Sequence, residues 1–290
     1  MAIKQDSGEV LLPSFAKINL TLDVGALRPD GYHEINSVLQ TISLADTLSF
    51  TKLSGGITVS CSDSGVPDGR DNLAYQALSV ISDSLPAGIS VKIEKRVPYA
   101  AGLGGGSSNA ATALKGADKL YQIGLTEDEM LAAGAVVGSD VPFFVLGGTA
   151  LAVGRGERVK PLPQLPVFWL VLVKPSFEVS TAKIYGLYKG KDGEPRTPGL
   201  VHALIEKDRE GVIRSLGNDL EDVTIGLYPE IGAIKQHLLR LGALGAMMAG
   251  SGPTVFGLFN SKEEALRAAG KMRGGEVYVC RTVSAEDIRS

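Results

Sequence analysis

The sequence predicts an α+β protein of two domains, and three observations carry that expectation. Residues 14–24, SFAKINLTLDV, alternate apolar and polar with period two, the mark of a β-strand. Strand-like and helix-like runs follow in mixed order, and a glycine-dense loop at 98–108 joins one of each. Residues 160–166, KPLPQLP, place three prolines in seven positions, which reads as a linker. We therefore set one domain at 1–162 and a second at 163–290.

In the first strand Ala16, Ile18, Leu20, Leu22 and Val24 share one face, and Lys17, Asn19, Thr21 and Asp23 share the other. This pattern predicts a half-buried strand. Lys17 is then either solvated on the polar face or projects with Asn19 into a cleft. Pro29-Asp30-Gly31 marks a turn. Tyr32 and His33 lie just past it, either as ordinary strand residues or as a pair placed to stack on and hydrogen-bond a ring. Ile35, Val38, Leu39 and Ile42 continue a second strand, and 57–60 and 89–94 give two more. Between those two, Asp71-Asn72 can cap the helix NLAYQALSVISDSL.

Behind the glycine loop, Ala110, Ala113, Leu114, Ala117, Leu120 and Tyr121 recur at helical spacing, and Gly124 ends that helix. The T-E-D-E of residues 126–129 is a capping box that opens another, which runs out at Gly138. Asp140 follows as a lone carboxylate. It is either a turn residue before Pro142 or, beside Phe143 and Phe144, a partly desolvated carboxylate and so a better base.

The second half opens with a buried-type strand, VFWLVLV at 167–173. Ser180 caps the short helix TAKIYGLY, and 189–199 reads as an exposed loop rich in Gly and Pro. Helices are expected near 200–216 and 229–242. A small-residue loop at 249–253, a strand at 254–259, a helix at 261–272 and a strand at 276–283 complete the chain. This β-α-α-β-α-β order predicts an α+β sandwich.

The composition bounds the function. With 290 residues, 44% hydrophobic and 21% charged, the chain can bury a sizeable core. A net charge of −3 gives no global field for nucleic acid or an anionic membrane, so any anion site must be local. Cys61 and Cys280 have no CxxC spacing and fit a reducing compartment. The opening MAIKQDSGEV has no apolar core of signal-peptide length, and the apolar run at 167–173 is too short to span a bilayer. His33, His202 and His237 give no metal-ligand pattern. A cytoplasmic protein is expected, with a small molecule as partner and neither nucleic acid nor membrane. Oligomeric state, monomer or homodimer, stays open.

The loop is more specific. Gly102, Gly104, Gly105 and Gly106 fall within five residues and lead into Ser107 and Ser108. Such glycines permit positive φ and close approach of a ligand. A helix start behind them offers unpaired N–H groups and the positive end of a dipole, hence an anion site. No lysine follows the glycines, so the GxxxxGK[ST] phosphate loop is absent. Ser107 stands where a dinucleotide GxGxxG needs its third glycine, and no repeated βαβ pattern surrounds it. A protein-kinase loop would need an HRD motif, which is missing. What remains is PxxxGLGGGSSNA, entered from a strand and leaving into a helix.

That motif resembles the second signature of the GHMP kinases, and Ala249-Gly250-Ser251-Gly252-Pro253-Thr254 is similar to their third. Ala16-Lys17-Ile18-Asn19-Leu20, Arg28-Pro29-Asp30-Gly31-Tyr32-His33 and Gly138-Ser139-Asp140-Val141-Pro142-Phe143 resemble one branch of that family. Its acceptor carries a cytidine diphosphate group, in the non-mevalonate route to isoprenoid precursors. The resemblance spans about residues 14–256, in order. It implies the two-domain GHMP kinase fold, with a ribosomal-protein-S5-domain-2-like N-terminal domain and a ferredoxin-like α/β sandwich at the C-terminus. It implies ATP with Mg²⁺, and phosphorylation of the acceptor's 2-hydroxyl.

By the same resemblance ATP lies on Pro98, Tyr99, Ala100, Ala101, Gly102, Leu103, Gly104, Gly105, Gly106, Ser107 and Ser108. Ser107 or Ser108 can add a hydroxyl to a phosphate or to Mg²⁺, whose other ligands no motif identifies. Lys17 and Asp140 correspond to the catalytic pair. Asn19, Tyr32 and His33 correspond to contacts with the cytidine end, and Tyr185 to a ring on the other face of the cytosine. Two alternatives remain at this point: a GHMP kinase with another small-molecule acceptor, and a nucleotide-binding sensor on the same fold without catalysis.

Overall fold

In a computed structural model, residues 8–190 and 193–289 are described. Most of the opening decapeptide and two residues of the 189–199 loop therefore lie outside the described residues. The N-terminal half builds the larger sheet from β1 (Val10–Asn19), β2 (Thr21–Leu27), β3 (His33–Leu53), β4 (Ile57–Cys61), β5 (Gly88–Glu94), β6 (Thr149–Gly154) and β7 (Arg158–Pro161). β3, 21 residues long, is its spine and runs antiparallel to β1, β2, β5 and β6. Helices α1 (Leu73–Val80), α2 (Gly105–Tyr121), α3 (Glu127–Val137) and α4 (Val141–Leu146) pack on it. They share one apolar cluster with Leu48, Phe50, Val91 and Ile93 of the strands.

Local chemistry explains the helix starts. Asn72 accepts from Ala74 N at the head of α1. Thr126 and Glu129 close the expected capping box on α3. The end of α2 differs from expectation: Gln122, at φ +54°, caps it two residues before Gly124.

After crossing from Pro161 to Trp169 the chain forms β8 (Trp169–Lys174), α5 (Thr181–Leu187), α6 (Arg196–Ile205), α7 (Arg209–Arg214) and β9 (Gly217–Asn218). Then come α8 (Glu221–Leu227), α9 (Pro229–Arg240), β10 (Gly245–Met248), β11 (Val255–Phe259), α10 (Lys262–Ala269), β12 (Glu276–Arg281) and α11 (Ala285–Arg289). The antiparallel order β10-β11-β8-β12 is the ferredoxin-like arrangement. β10 was not expected, because Gly-Ala-Met-Met lacks the β-branched and aromatic residues that mark strands. α8 was also missed, and α6 begins inside the segment read as an exposed loop, with Thr197 buried.

The two halves are joined at β2. β9 pairs with it in parallel. Asp23 accepts from the backbone N–H groups of Arg196 (2.9 Å) and Thr197 (2.8 Å), and so caps α6 from across the molecule. Asp219 accepts from Val24 N at 2.9 Å. The single half-buried strand expected over 14–24 is two strands, β1 and β2, broken at Leu20, and both faces are buried: Lys17, Asn19, Thr21 and Asp23 are all under 9% exposed. Period two identified the alternation, but the cover on its polar face comes from other segments: Ser37 at Asn19, Asp140 at Lys17, and Thr197 at Thr21 and Asp23. Among the described residues no helix is long and apolar enough to cross a membrane.

Candidate active site

The glycine loop is held from below. Asp46 on β3 is fully buried and accepts from Arg96 N and Val97 N (both 2.8 Å), from Lys95 Nζ and from Asn109 Nδ2 (2.9 Å). One carboxylate thus ties the approach to the loop to the second turn of α2. A buried charge with this many donors is stable where an unpaired one would not be. Ala101 and Leu103 are buried anchors, and Leu103 O accepts from Lys17 N at 3.0 Å. Tyr99 is exposed, while Pro98 and Ala100 are half-buried.

Two glycines are required by geometry. Gly102 has φ +78°, and a Cβ there would lie 2.5 Å from Ala249 O. Gly104 has φ +71°, and its Cβ would lie 2.8 Å from the Phe144 ring and 3.1 Å from Lys17 Cε. The absence of side chains lets the loop dock on both the 249–253 loop and the Lys17 stem. Gly105, Gly106 and Ser107 form the first turn of α2, which no side chain caps. Its N–H groups are left for an anion. Ser107 is half-buried there, but Ser108 turns into the core and accepts from Ser14 Oγ at 2.8 Å. Of the two hydroxyls offered by the sequence, only that of Ser107 stays at the helix start.

Lys17 Nζ lies 3.4 Å from Asp140 Oδ2 and donates to Asn19 Oδ1 at 2.9 Å. The Lys17 side chain is 6% exposed and that of Asp140 36%. Asp140 sits between the end of α3 and the start of α4. The carboxylate is partly desolvated, as the sequence suggested, although the two rings do not line the cavity it faces. Both rings are buried in the core, packed edge to face at 5.1 Å, and the carboxylate stays partly open.

Lys17, Asn19, Tyr32, His33, Asp140 and Tyr185 all line one cavity of about 690 Å³, with Gly102 and Gly104 at its edge. His33 Nδ1 lies 2.9 Å from Gly25 O, so the carbonyl makes Nδ1 the donor, and in the neutral ring Nε2 is then the acceptor. The Tyr185 ring leans on His33 at 5.8 Å and 37°. Burial, and then the Asp140 carboxylate, push the Tyr185 phenol well above its ordinary range.

Sequence reasoning missed two neighbours. Tyr188 packs edge-on to His33 at 6.0 Å, and burial, helped by Asp219, pushes its phenol up to about 12. Arg155 holds its guanidinium 5.3 Å above the Tyr32 ring and lines the same cavity. The only signal for Arg155 was a lone arginine between two glycines; for Tyr188 it was the i+3 spacing from Tyr185. The 249–253 loop also gains a role, because Ser251 bonds Thr181 of α5 at 2.8 Å and both line the cavity. Among the described residues no group of three or more His, Cys, Asp or Glu could hold a metal ion.

Comparison with known proteins identifies relatives of the chain. The N-terminal domain of GHMP kinases matches residues 72–148, and the GHMP kinase C-terminal domain matches residues 200–275. A 4-diphosphocytidyl-2-C-methyl-D-erythritol kinase of Moorella thermoacetica is 46% identical over 280 residues, covering 94% of this chain and 98% of that protein. The Bacillus pumilus enzyme of the same name is 45% identical over 278 residues, covering 94% and 96%. A crystal structure of 4-(cytidine 5'-diphospho)-2C-methyl-D-erythritol kinase superposes with TM-score 0.80 at 36% identity, covering 94% of this chain and 98% of that one. Homoserine kinase from Cytophaga hutchinsonii gives 0.77 at 19% identity, covering 98% and 97%, a likeness of fold alone.

Proposed function

The chain belongs to the GHMP kinase family, among its 4-diphosphocytidyl-2-C-methyl-D-erythritol kinases, and from that premise we propose how its residues perform the reaction. It transfers the γ-phosphoryl of ATP to the 2-hydroxyl of 4-diphosphocytidyl-2-C-methyl-D-erythritol, a step of non-mevalonate isoprenoid precursor biosynthesis. One observation carries the assignment of roles: six residues from four separate segments meet in a single cavity that borders the glycine loop.

Phosphoryl transfer asks for positioning and charge stabilisation. The loop from Pro98 to Ser107 and the uncapped start of α2 supply N–H donors to the ATP phosphates. Asp140 takes the proton of the acceptor hydroxyl as it attacks, help worth about 10²–10⁴-fold. Lys17, 3.4 Å away, holds that carboxylate in place and offsets charge building on the transferred group. Tyr32 and Tyr185 flank the cytosine. His33 Nε2, bare because Nδ1 is spent on Gly25, accepts from its exocyclic amine.

Mg²⁺ would neutralise phosphate charge. Among the described residues no carboxylate cluster could hold it; the Ser107 hydroxyl at the start of α2 would be one ligand, with the nucleotide and water supplying others. The same reading keeps the domains at 1–162 and 163–290, in support of which the chain changes sheets after Pro161. It also places the protein in the cytoplasm, where the free thiols of Cys61 and Cys280 persist.

The test is ATP consumption with the diphosphocytidyl alcohol against homoserine, mevalonate and galactose. Turnover of the first alone is expected. Turnover of another, with none of the first, would overturn the substrate assignment.

A further inference from the structure

The strand pair that carries Lys17 breaks at Leu20, and the break is fastened to β3. Leu20 N donates to Val38 O at 2.7 Å, and Val38 N donates to Thr21 Oγ1 at 3.0 Å. The Thr21 carbonyl is thereby brought to Ser37, whose hydroxyl donates to it at 2.6 Å. Ser37 is fully buried, and its Oγ also lies 2.8 Å from Asn19 Nδ2.

The proton directions in this chain are forced. A carbonyl has no proton to give, so the Ser37 hydroxyl must donate to Thr21 O. The Ser37 oxygen is then left to accept, and only the amide nitrogen of Asn19 can fill it. The Asn19 amide is fixed in one of its two flips, with Oδ1 towards Lys17. An ammonium only donates, so Oδ1 is the group it needs, and the contact is made at 2.9 Å. Of the three ammonium protons one is held by Asn19 and one faces Asp140, which leaves one for the transferred phosphoryl group.

We propose that Ser37 is a positioning residue for the phosphoryl transfer: through the Asn19 amide it aims the Lys17 ammonium at the reacting group. This rests on Lys17 acting in the reaction as argued above. It also gives Asn19 a second duty, since the amide assigned to the acceptor spends its oxygen on Lys17 and one N–H on Ser37.

The experiment is a double-mutant cycle of Ser37→Ala with Lys17→Met, read as single-turnover rates at high enzyme concentration. Ser37→Ala alone should slow phosphorylation about tenfold, with the KM for ATP within about twofold, because misaimed groups lose rate before affinity. Ser37→Thr keeps the hydroxyl and should restore most of the rate. In the Lys17→Met background Ser37→Ala should cost nothing further, since Ser37 then has no ammonium to aim. An equal loss in both backgrounds would make Ser37 merely structural and overturn the inference, as would a Ser37→Ala enzyme of full activity. A fully active Lys17→Met enzyme would instead remove the premise, which separates that failure from the failure of Ser37. Should Ser37→Ala fold poorly, Ser37→Cys, of similar size but a far weaker donor, carries the same cycle.

Discussion

On the proposed reading, the phosphate end and the acceptor end of the cavity are built in opposite ways. The phosphate end is one continuous segment, a loop and the first turn of α2, stapled by Asp46. The acceptor end takes Lys17 from β1, Tyr32 and His33 from the turn before and the start of β3, Asp140 from the start of α4 and Tyr185 from α5. A continuous segment can carry a generic task, because backbone N–H groups need only local geometry to hold an anion. The selective task falls to side chains whose distances exist only once both halves of the chain have packed. Damage to one end should therefore leave the other legible in the kinetics.

The largest separation is expected from Asp140→Asn. The variant keeps its shape but loses the proton acceptor, so kcat should fall about 10²–10⁴-fold. ATP affinity, measured by calorimetry, should not change. Near-full activity would remove Asp140 from the chemistry.

Gly102→Ala should blur the two ends, because this glycine touches both. Its φ of +78° and the Ala249 carbonyl 2.5 Å from the added Cβ leave no room for a methyl group. Strain of about 1–3 kcal/mol is expected, seen as a lower denaturation midpoint, and both ATP and acceptor should bind more weakly. A variant that lost ATP affinity alone would show that the contact with the 249–253 loop does not couple the ends.

Tyr32→Ala acts on the acceptor end alone. Base stacking on an aromatic ring is worth about 1–3 kcal/mol, so the acceptor KM should rise about tenfold while the ATP KM holds. Arg155 already lies over one face of the Tyr32 ring, so its removal tests whether that face is used by the base.

The smallest effect concerns alkaline stability. The folded Tyr185 phenol is held above its ordinary value of 10.0 by burial and by Asp140. Its stabilising effect is complete below pH 10 and is lost at higher pH, because the unfolded chain releases that proton first. The denaturation midpoint of the native chain should fall more steeply above pH 10 than that of Tyr185→Phe. Equal slopes would show that the phenol is not sheltered.

The same contrast explains what could be read without coordinates. The glycine loop, the capping box on α3 and the Ser180 cap on α5 depend on neighbours within a few residues, and all appeared where expected. Ser108 was legible as a loop serine but not as a core residue, because its partner Ser14 lies 94 positions away. Asp46 gave no signal at all, since its four donors come from residues 95–109. The polar face of β2 looked solvated until Asp23 met α6. β10 stayed hidden because pairing with β11, and not its own propensity, makes it a strand. Lys17, Tyr32, His33 and Asp140 could be singled out as candidates, but no spacing in the chain says that they face one another.

The proposed function has one cavity hold the acceptor, with its hydroxyl at Asp140 and its base between two tyrosines. A crystal structure with a non-hydrolysable ATP analogue and the diphosphocytidyl alcohol tests it most directly. We expect the 2-hydroxyl within about 3 Å of an Asp140 oxygen, a reach suited to proton transfer, and the cytosine between Tyr32 and Tyr185 with its amine on His33. A cytosine bound elsewhere, or a hydroxyl turned away from Asp140, would contradict the account.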